Sequence, residues 1–214
     1  MKPYFDTNPA AGVLLLVAVL GWAMIETSHL GNSRQGAAKV GGAGRRLAAW
    51  PFLTAASAVL YLAPHIVPGA AIRPAAVGCA IGFVILLAGL VLRGWSIKTL
   101  GAYFTASVTV SADQPVVTAG PYRLLRHPSY TGLLLIMTGI GLVSANWAGA
   151  VGMTVLTLAG LLWRIHAEER ALLVTLGDPY RAYAAELVAL FERATRPVDG
   201  APAAATDAAG PFSR

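Results

Sequence analysis

Charged side chains are scarce in this sequence. Asp, Glu, Lys and Arg make up 12% of its 214 residues, about half the 25% of an ordinary soluble domain. With 56% hydrophobic residues and a mean hydropathy of +0.62, that shortage excludes a conventional soluble globule and predicts a polytopic membrane protein. Cysteine is nearly missing: Cys79 stands alone in an apolar run, which rules out an intrachain disulfide and a thiolate metal cluster. No G-x-G-x-x-G and no H-x-x-x-H occurs, so a soluble dinucleotide pocket and the common histidine metal pattern are both absent. His127, His166 and a Glu lack ligand spacing, and no metal is expected. The net charge is +6, but the basic residues flank apolar runs and build no aromatic-interleaved surface. No nucleic-acid partner is therefore expected.

What the chain does have is apolar length. A bilayer crossing needs about 20 apolar residues. Five runs approach it: about Ala10 to Ile25 and on toward Leu30, Leu47 to Val67, Ala75 to Leu92, Tyr130 to Ser144, and Trp147 to Trp163. The "SANW" between the last two leaves room only for a tight hairpin. Only Lys2 precedes the first run and no cleavage site follows it cleanly, so it reads as an uncleaved span rather than a signal peptide. Arg34, Lys39, Arg45 and Arg46 follow span one. Arg93, Lys98, Arg123 and Arg126 follow span three, and Arg164, Arg170, Arg181, Arg193 and Arg196 follow span five. Lys2 and Arg73 are nearly all that the other side holds. The positive-inside rule then predicts the amino terminus outside and the carboxyl terminus in the cytoplasm. The expected fold is an all-α integral membrane protein of about five transmembrane helices, with a C-terminal helical hairpin and an ordered cytoplasmic cofactor pocket. Residues 1–194 form the membrane domain, and 195–214 have the composition of a disordered tail.

Between the spans, residues 31–46 form a Gly-rich basic loop suited to anionic headgroups. "TASVTV" (105–110) alternates as a strand would, inside an ordered loop punctuated by "ADQP" and "AGP". "GCAIG" (Gly78 to Gly82) has the small-xxx-small spacing of close helix packing, with Gly139, Gly141, Gly149 and Gly152 in the hairpin adding to it. Glu26 and His29 close span one, where an acid is either a functional candidate or an interfacial one. His65 reads as solvated beside Pro64.

Two constellations carry chemistry. In "GPYRLLRHPSYTG" (120–132), Pro128 suits the first turn of a helix and would leave Arg126 and His127 at its mouth. The free N–H groups and dipole of a helix start, with a guanidinium, suit an anion, and Gly132 would let a ligand approach the backbone. The same residues would also serve as headgroup contacts at an ordinary span start. In "WRIHAEERALLVTLGDPYRAY" (163–183), Glu168 and Glu169 stand among Arg164, His166 and Arg170. Arg164 and Glu168 are four apart, so one acid pairs outward while the other faces inward; a solvated helix laced with ion pairs reads similarly. "GDPY" ends the helix, and Tyr180 and Tyr183 follow at a spacing that returns rings to the membrane surface. Because spans four and five form a hairpin, the two constellations are neighbours. An anion site beside acids fits a zwitterion with a carboxylate, a ribose and a positive centre, the groups of S-adenosylmethionine.

"TLGAYFT", "GPYRLLRHPSYTG" and "EERALLVTLGDPYRAY", in this order over about residues 93–183, resemble the isoprenylcysteine carboxyl methyltransferase family of integral membrane enzymes. The resemblance implies a cytoplasmic S-adenosylmethionine pocket and release of S-adenosylhomocysteine. It places Arg126, His127, Pro128 and Tyr130 in an R-H-P-x-Y cofactor element; Tyr122 and Gly132, in the same stretch, are further candidate cofactor contacts. Glu168 and Glu169 match the family's paired acids, and Tyr180 and Tyr183 its G-x-x-Y-x-x-Y closure. The candidate catalytic residues are Arg126, Glu169 and Arg170, with Arg126 or Arg170 orienting an acceptor carboxylate. The implied partners are membrane lipids and a lipophilic or small-molecule methyl acceptor: a prenylcysteine carboxylate first, a small thiol or phospholipid amine otherwise. The sequence departs from many relatives after Phe191, where no Pro-rich ending follows. A non-catalytic transporter or lipid-binding protein would instead carry ionisable groups near the midplane of several spans, whereas here they cluster at span ends.

Overall fold

A computed structural model describes residues 2–28, 50–104 and 114–195. The basic loop at 31–46, His29, the side chain of Glu26, "TASVTV" and the tail from 196 onward lie outside the described residues. What is described is helical: α1 (Tyr4–Thr7), α2 (Pro9–Ser28), α3 (Trp50–Ile66), α4 (Ala75–Leu100), α5 (Pro128–Val143), α6 (Trp147–Leu176) and α7 (Asp178–Thr195), with short 3₁₀ turns at Pro68–Ala70, Gly101–Tyr103 and Gly120–Arg123. Among the described residues there is no strand, only an isolated bridge between Ala71 and Asn146.

Among the described residues two helices are long and apolar enough to cross a membrane, Ala75–Leu100 and Trp147–Leu176; Pro9–Met24, Thr54–Ile66 and Pro128–Val143 are apolar but shorter. Their outward faces are apolar as well: Val84 is 68% and Val91 70% exposed, a surface suited to lipid and not to water. The inner faces of α3 to α6 meet around Ala56, Leu86, Ile136, Met137, Ile140 and Met153. α6 outruns the expected end at Trp163 and α4 the expected end at Leu92. In α6 the reason is local: Arg164–Leu176 is rich in Ala, Glu, Arg and Leu, good helix formers, and no Gly or Pro interrupts it.

α4 and α5 run antiparallel in close contact. A Cβ on Gly82 would lie 2.8 Å from the Gly139 carbonyl oxygen, and one on Gly139 would lie 2.6 Å from the Gly82 oxygen. One crossing further along, a Cβ on Gly132 would sit 2.8 Å from the Arg93 nitrogen. Glycines seven apart on both helices, 82 and 89 facing 139 and 132, thus let the backbones touch. Gly82 of the "GCAIG" segment does pack within the chain, as its spacing suggested. Gly132 does not admit a ligand. Its bare face is filled by α4, which corrects the expectation for that residue.

At the end of the bundle opposite Arg93, the Tyr4 N–H donates to the Ser144 carbonyl at 3.2 Å and the Ile72 N–H to the Ala145 carbonyl at 2.8 Å. Asn146 ties this end together. Its Oδ1 accepts the Gly149 N–H at 3.0 Å, capping α6, and its Nδ2 donates to the Val67 carbonyl at 3.1 Å. An N-cap is worth about 1 kcal/mol and a buried hydrogen bond about as much. Asn146→Ala should therefore lower the melting temperature in detergent by about 5 °C, given about 2–4 °C per kcal/mol for a chain of this size. His65 is at this end, exposed, its Nδ1 2.9 Å from the Tyr61 carbonyl.

Candidate functional site

Pro128 is the first residue of α5 and His127 its N-cap, and no side chain caps that helix start. The turn at Gly120–Arg123 leads into it, packed against the end of α4 near Trp95 and Thr99, and His127 and Tyr130 reach across to the far end of α6. His127 Nε2 meets Glu169 Oε1 at 2.7 Å, and the ring must be the donor to an ionised carboxylate. The Tyr130 hydroxyl donates to Glu168 Oε2. Arg164 Nε donates to the same hydroxyl oxygen at 2.7 Å, with its guanidinium 5.6 Å above the Tyr130 ring. The His127 and Tyr130 rings stack at 5.7 Å.

Both acids are thus engaged, where the spacing suggested one turned outward. Adjacent helical residues differ by about 100°, and α6 here has partners on two sides. α5 supplies one side and α7 the other. Gly177 makes the second possible. Its φ of 58° is one that L side chains rarely adopt, and its N–H closes α6 on the Leu173 carbonyl at 3.2 Å. The chain reverses there and α7 folds back. The Tyr180 hydroxyl donates to Glu169 Oε1 at 2.7 Å. The Tyr183 hydroxyl donates to the Tyr122 carbonyl at 2.7 Å. Arg126 Nη2 donates to the Ala184 carbonyl at 3.0 Å. Tyr180 and Tyr183 are buried, so their rings do not return to a membrane surface as their spacing suggested. They share one face of a helix turned inward.

The electrostatics follow from burial. Desolvation first, and then the Glu169 carboxylate, hold the Tyr180 hydroxyl well above the ordinary tyrosine range, so it remains a donor. Burial also pushes Tyr183 up to about 12. Glu169 accepts two bonds on Oε1, and among the described residues none on Oε2. The His127 and Glu169 side chains keep 14% and 22% exposure, which leaves the pair reachable. Such a cluster can accept hydrogen bonds from a diol or a cation at its carboxylate, and receive an anion at the uncapped α5 start beside Arg126.

Residues 80–174 match the family model of the isoprenylcysteine carboxyl methyltransferase (ICMT) family. Protein-S-isoprenylcysteine O-methyltransferase A of Arabidopsis thaliana is 33% identical over 105 residues, 48% of this chain and 53% of the relative. The Xenopus laevis protein-S-isoprenylcysteine O-methyltransferase is 33% identical over 105 residues, 48% of this chain and 36% of that one. The chain spans about half the length of the plant relatives it matches. A solved structure of the eukaryotic intramembrane Ras methyltransferase ICMT aligns with a TM-score of 0.52 and 26% identity, over 69% of this chain and 52% of that chain.

The ICMT match encloses His127, Tyr130, Glu168 and Glu169 but stops before Tyr180 and Tyr183, which join the cluster only through the Gly177 reversal. Arg170, expected as an acceptor contact, is exposed and among the described residues makes no contact with the cluster. At position 169 the chain's inward face is spent, and 170 falls about 100° further round the helix. His166 is exposed too. Sequence reasoning missed Arg164 as a partner of Tyr130. It also counted Arg93 merely among the loop cations, although Arg93 is 4% exposed. The only hint of either was an arginine at the edge of an apolar run.

Proposed function

We propose that the chain is an integral membrane methyltransferase that moves a methyl group from S-adenosylmethionine to a lipophilic acceptor, most simply an isoprenylcysteine-type carboxylate. The observation that carries this is the convergence of His127, Glu169 and Tyr180 through hydrogen bonds of 2.7 Å, at one end of the ICMT-matched helices. The proposed topology has five spans, α2 to α6, with the cluster and the carboxyl terminus cytoplasmic. Its support is the bias of Arg and Lys toward that end of the bundle.

The residues fit the donor. The free Glu169 oxygen suits a ribose diol or an ammonium, and the uncapped α5 start with Arg126 suits a carboxylate. When bound, S-adenosylmethionine supplies an electrophilic methyl on a positively charged sulfur. Glu168 is held by Tyr130 and Glu169 by Tyr180 and His127, so neither carboxylate needs to reorient as a ligand arrives. Arg126 makes one bond to Ala184 and has further N–H groups with which to orient an acceptor carboxylate. A carboxylate acceptor is already ionised near neutral pH, so the chain need supply no base. Its work is alignment, worth up to about 7–11 kcal/mol, and exclusion of water, which favours a step that merges opposite charges.

Tyr180→Phe keeps the ring and removes one donor to an ionised group, worth about 1.5 kcal/mol or more. Affinity for S-adenosylhomocysteine should fall about tenfold, read by calorimetry in detergent, with the melting temperature nearly unchanged. One observation favours a second acceptor class: the His127–Glu169 pair leaves Nδ1 of the imidazole as a potential base, which a thiol or an amine would need. A radiolabelled methyl-transfer screen over prenylcysteine, small-thiol and phospholipid acceptors tests the proposal. Transfer to prenylcysteine above the others supports it, and transfer to none of the three would defeat it.

A further inference from the structure

We propose that Arg93 is a positioning residue for the methyl-donor site, holding the first turn of α5 in place from beneath. The proposal rests on the methyltransferase function above and goes beyond it, because Arg93 acts through Ser129 and not on a ligand. Its Nη1 donates to the Ser129 carbonyl at 2.9 Å and to the Ser129 hydroxyl at 2.9 Å. Ser129 lies between His127 and Tyr130, whose side chains reach Glu169 and Glu168.

That turn needs an outside hold. Pro128 contributes no N–H, no side chain caps the helix start, and the chain before it is a short 3₁₀ turn. α4 provides a fixed base, because Gly132 brings the two backbones into contact at Arg93 itself, a Cβ there lying 2.8 Å from the Arg93 nitrogen. From that anchor the guanidinium spans one turn of α5 toward its start and grips Ser129.

The residue type points the same way. Arg93 is 4% exposed, and burying a guanidinium is costly unless its donors are satisfied. An apolar side chain would fill the same helix crossing at lower cost. The charge supplies two things an apolar residue cannot: a directed pair of bonds to Ser129, and a positive field under the helix start proposed to receive an anion. A lysine at 93 keeps the charge and ends about one bond short, so it would recover part of the effect.

The test uses the full chain in detergent with S-adenosylhomocysteine as the probe, alongside amide hydrogen exchange of the ligand-free protein. Arg93→Met loses both bonds to Ser129 and should raise the Kd about tenfold, about threefold for each bond, and Arg93→Lys about threefold. In the ligand-free Arg93→Met protein, exchange should quicken at 129–131 and stay at the wild-type rate over 136–143. If Arg93→Met does not fold, Ser129→Ala removes one of the two acceptors and should raise the Kd about threefold on the same reasoning. Met and Lys variants of equal affinity, or unchanged exchange at 129–131, would overturn the role of Arg93. A wild-type protein that does not bind the probe overturns the donor site instead, an outcome visible before any variant is made.

Discussion

Glu169→Ala should weaken S-adenosylhomocysteine binding by about 100-fold and abolish methyl transfer at ordinary donor concentrations. Glu169 accepts His127 and Tyr180 on one oxygen, and each hydrogen bond to an ionised group is worth about 1.5–3 kcal/mol. Removing the carboxylate leaves both donors without their acceptor and takes away the oxygen proposed to meet the ligand. A combined loss near 3 kcal/mol corresponds to about 100-fold in affinity. Glu169→Gln should recover part of that loss, because its amide oxygen can still accept both His127 and Tyr180, while its N–H₂ replaces the oxygen proposed to meet the ligand. Calorimetry gives the affinity, and thermal melting shows that the bundle survives. An affinity within threefold of wild type in the Ala variant would remove Glu169 from the site.

Gly139→Leu should cost about 3 kcal/mol of stability, near or above the top of the usual range for overpacking. The reason is what the new Cβ would meet. The nearest atoms are the Gly82 oxygen and the Leu86 nitrogen, both at 2.6 Å. These are backbone atoms and cannot rotate aside, so α4 and α5 must separate. At about 2–4 °C per kcal/mol, the melting temperature in detergent should fall by about 10 °C. Gly21→Leu is the control, since a Cβ at Gly21 meets nothing within 4 Å. Equal melting temperatures for the two variants would contradict the close crossing. The same crossing, one step along at Gly132, sets the height of α5 against Arg93, so stability and site geometry share a cause.

Much of this was legible in the sequence because it is local. Pro128 marks the start of α5 and "SANW" makes the tight turn before α6. "GDPY" ends α6 at Gly177, and each rests on the conformational limits of one or two residues. The apolar runs placed the helices to within a few residues, except that α4 and α6 run past the apolar stretch, in α6 on a run of good helix formers. The acids, His127 and Tyr130 were identified correctly as neighbours, because a tight hairpin forces its two far ends together. What stayed hidden depends on contacts between distant segments. Hydrophobic periodicity does not reveal that Gly82 faces Gly139, that Arg93 turns inward to Ser129, or that α7 reverses to bring Tyr180 onto Glu169. Arg170 went wrong for the same reason: a stretch of alternating charges does not say which side of the helix has a partner.

The central claim is that one adenosine-bearing ligand sits where the ends of α5 and α6 meet under α7. Amide hydrogen exchange of the full chain in detergent, with and without saturating S-adenosylhomocysteine, tests it most directly. Protection should appear together at 126–131, 166–172 and 178–184, and not at the opposite end around 67–74 and 144–150. Protection confined to that opposite end, or no protection anywhere at saturation, would contradict the account.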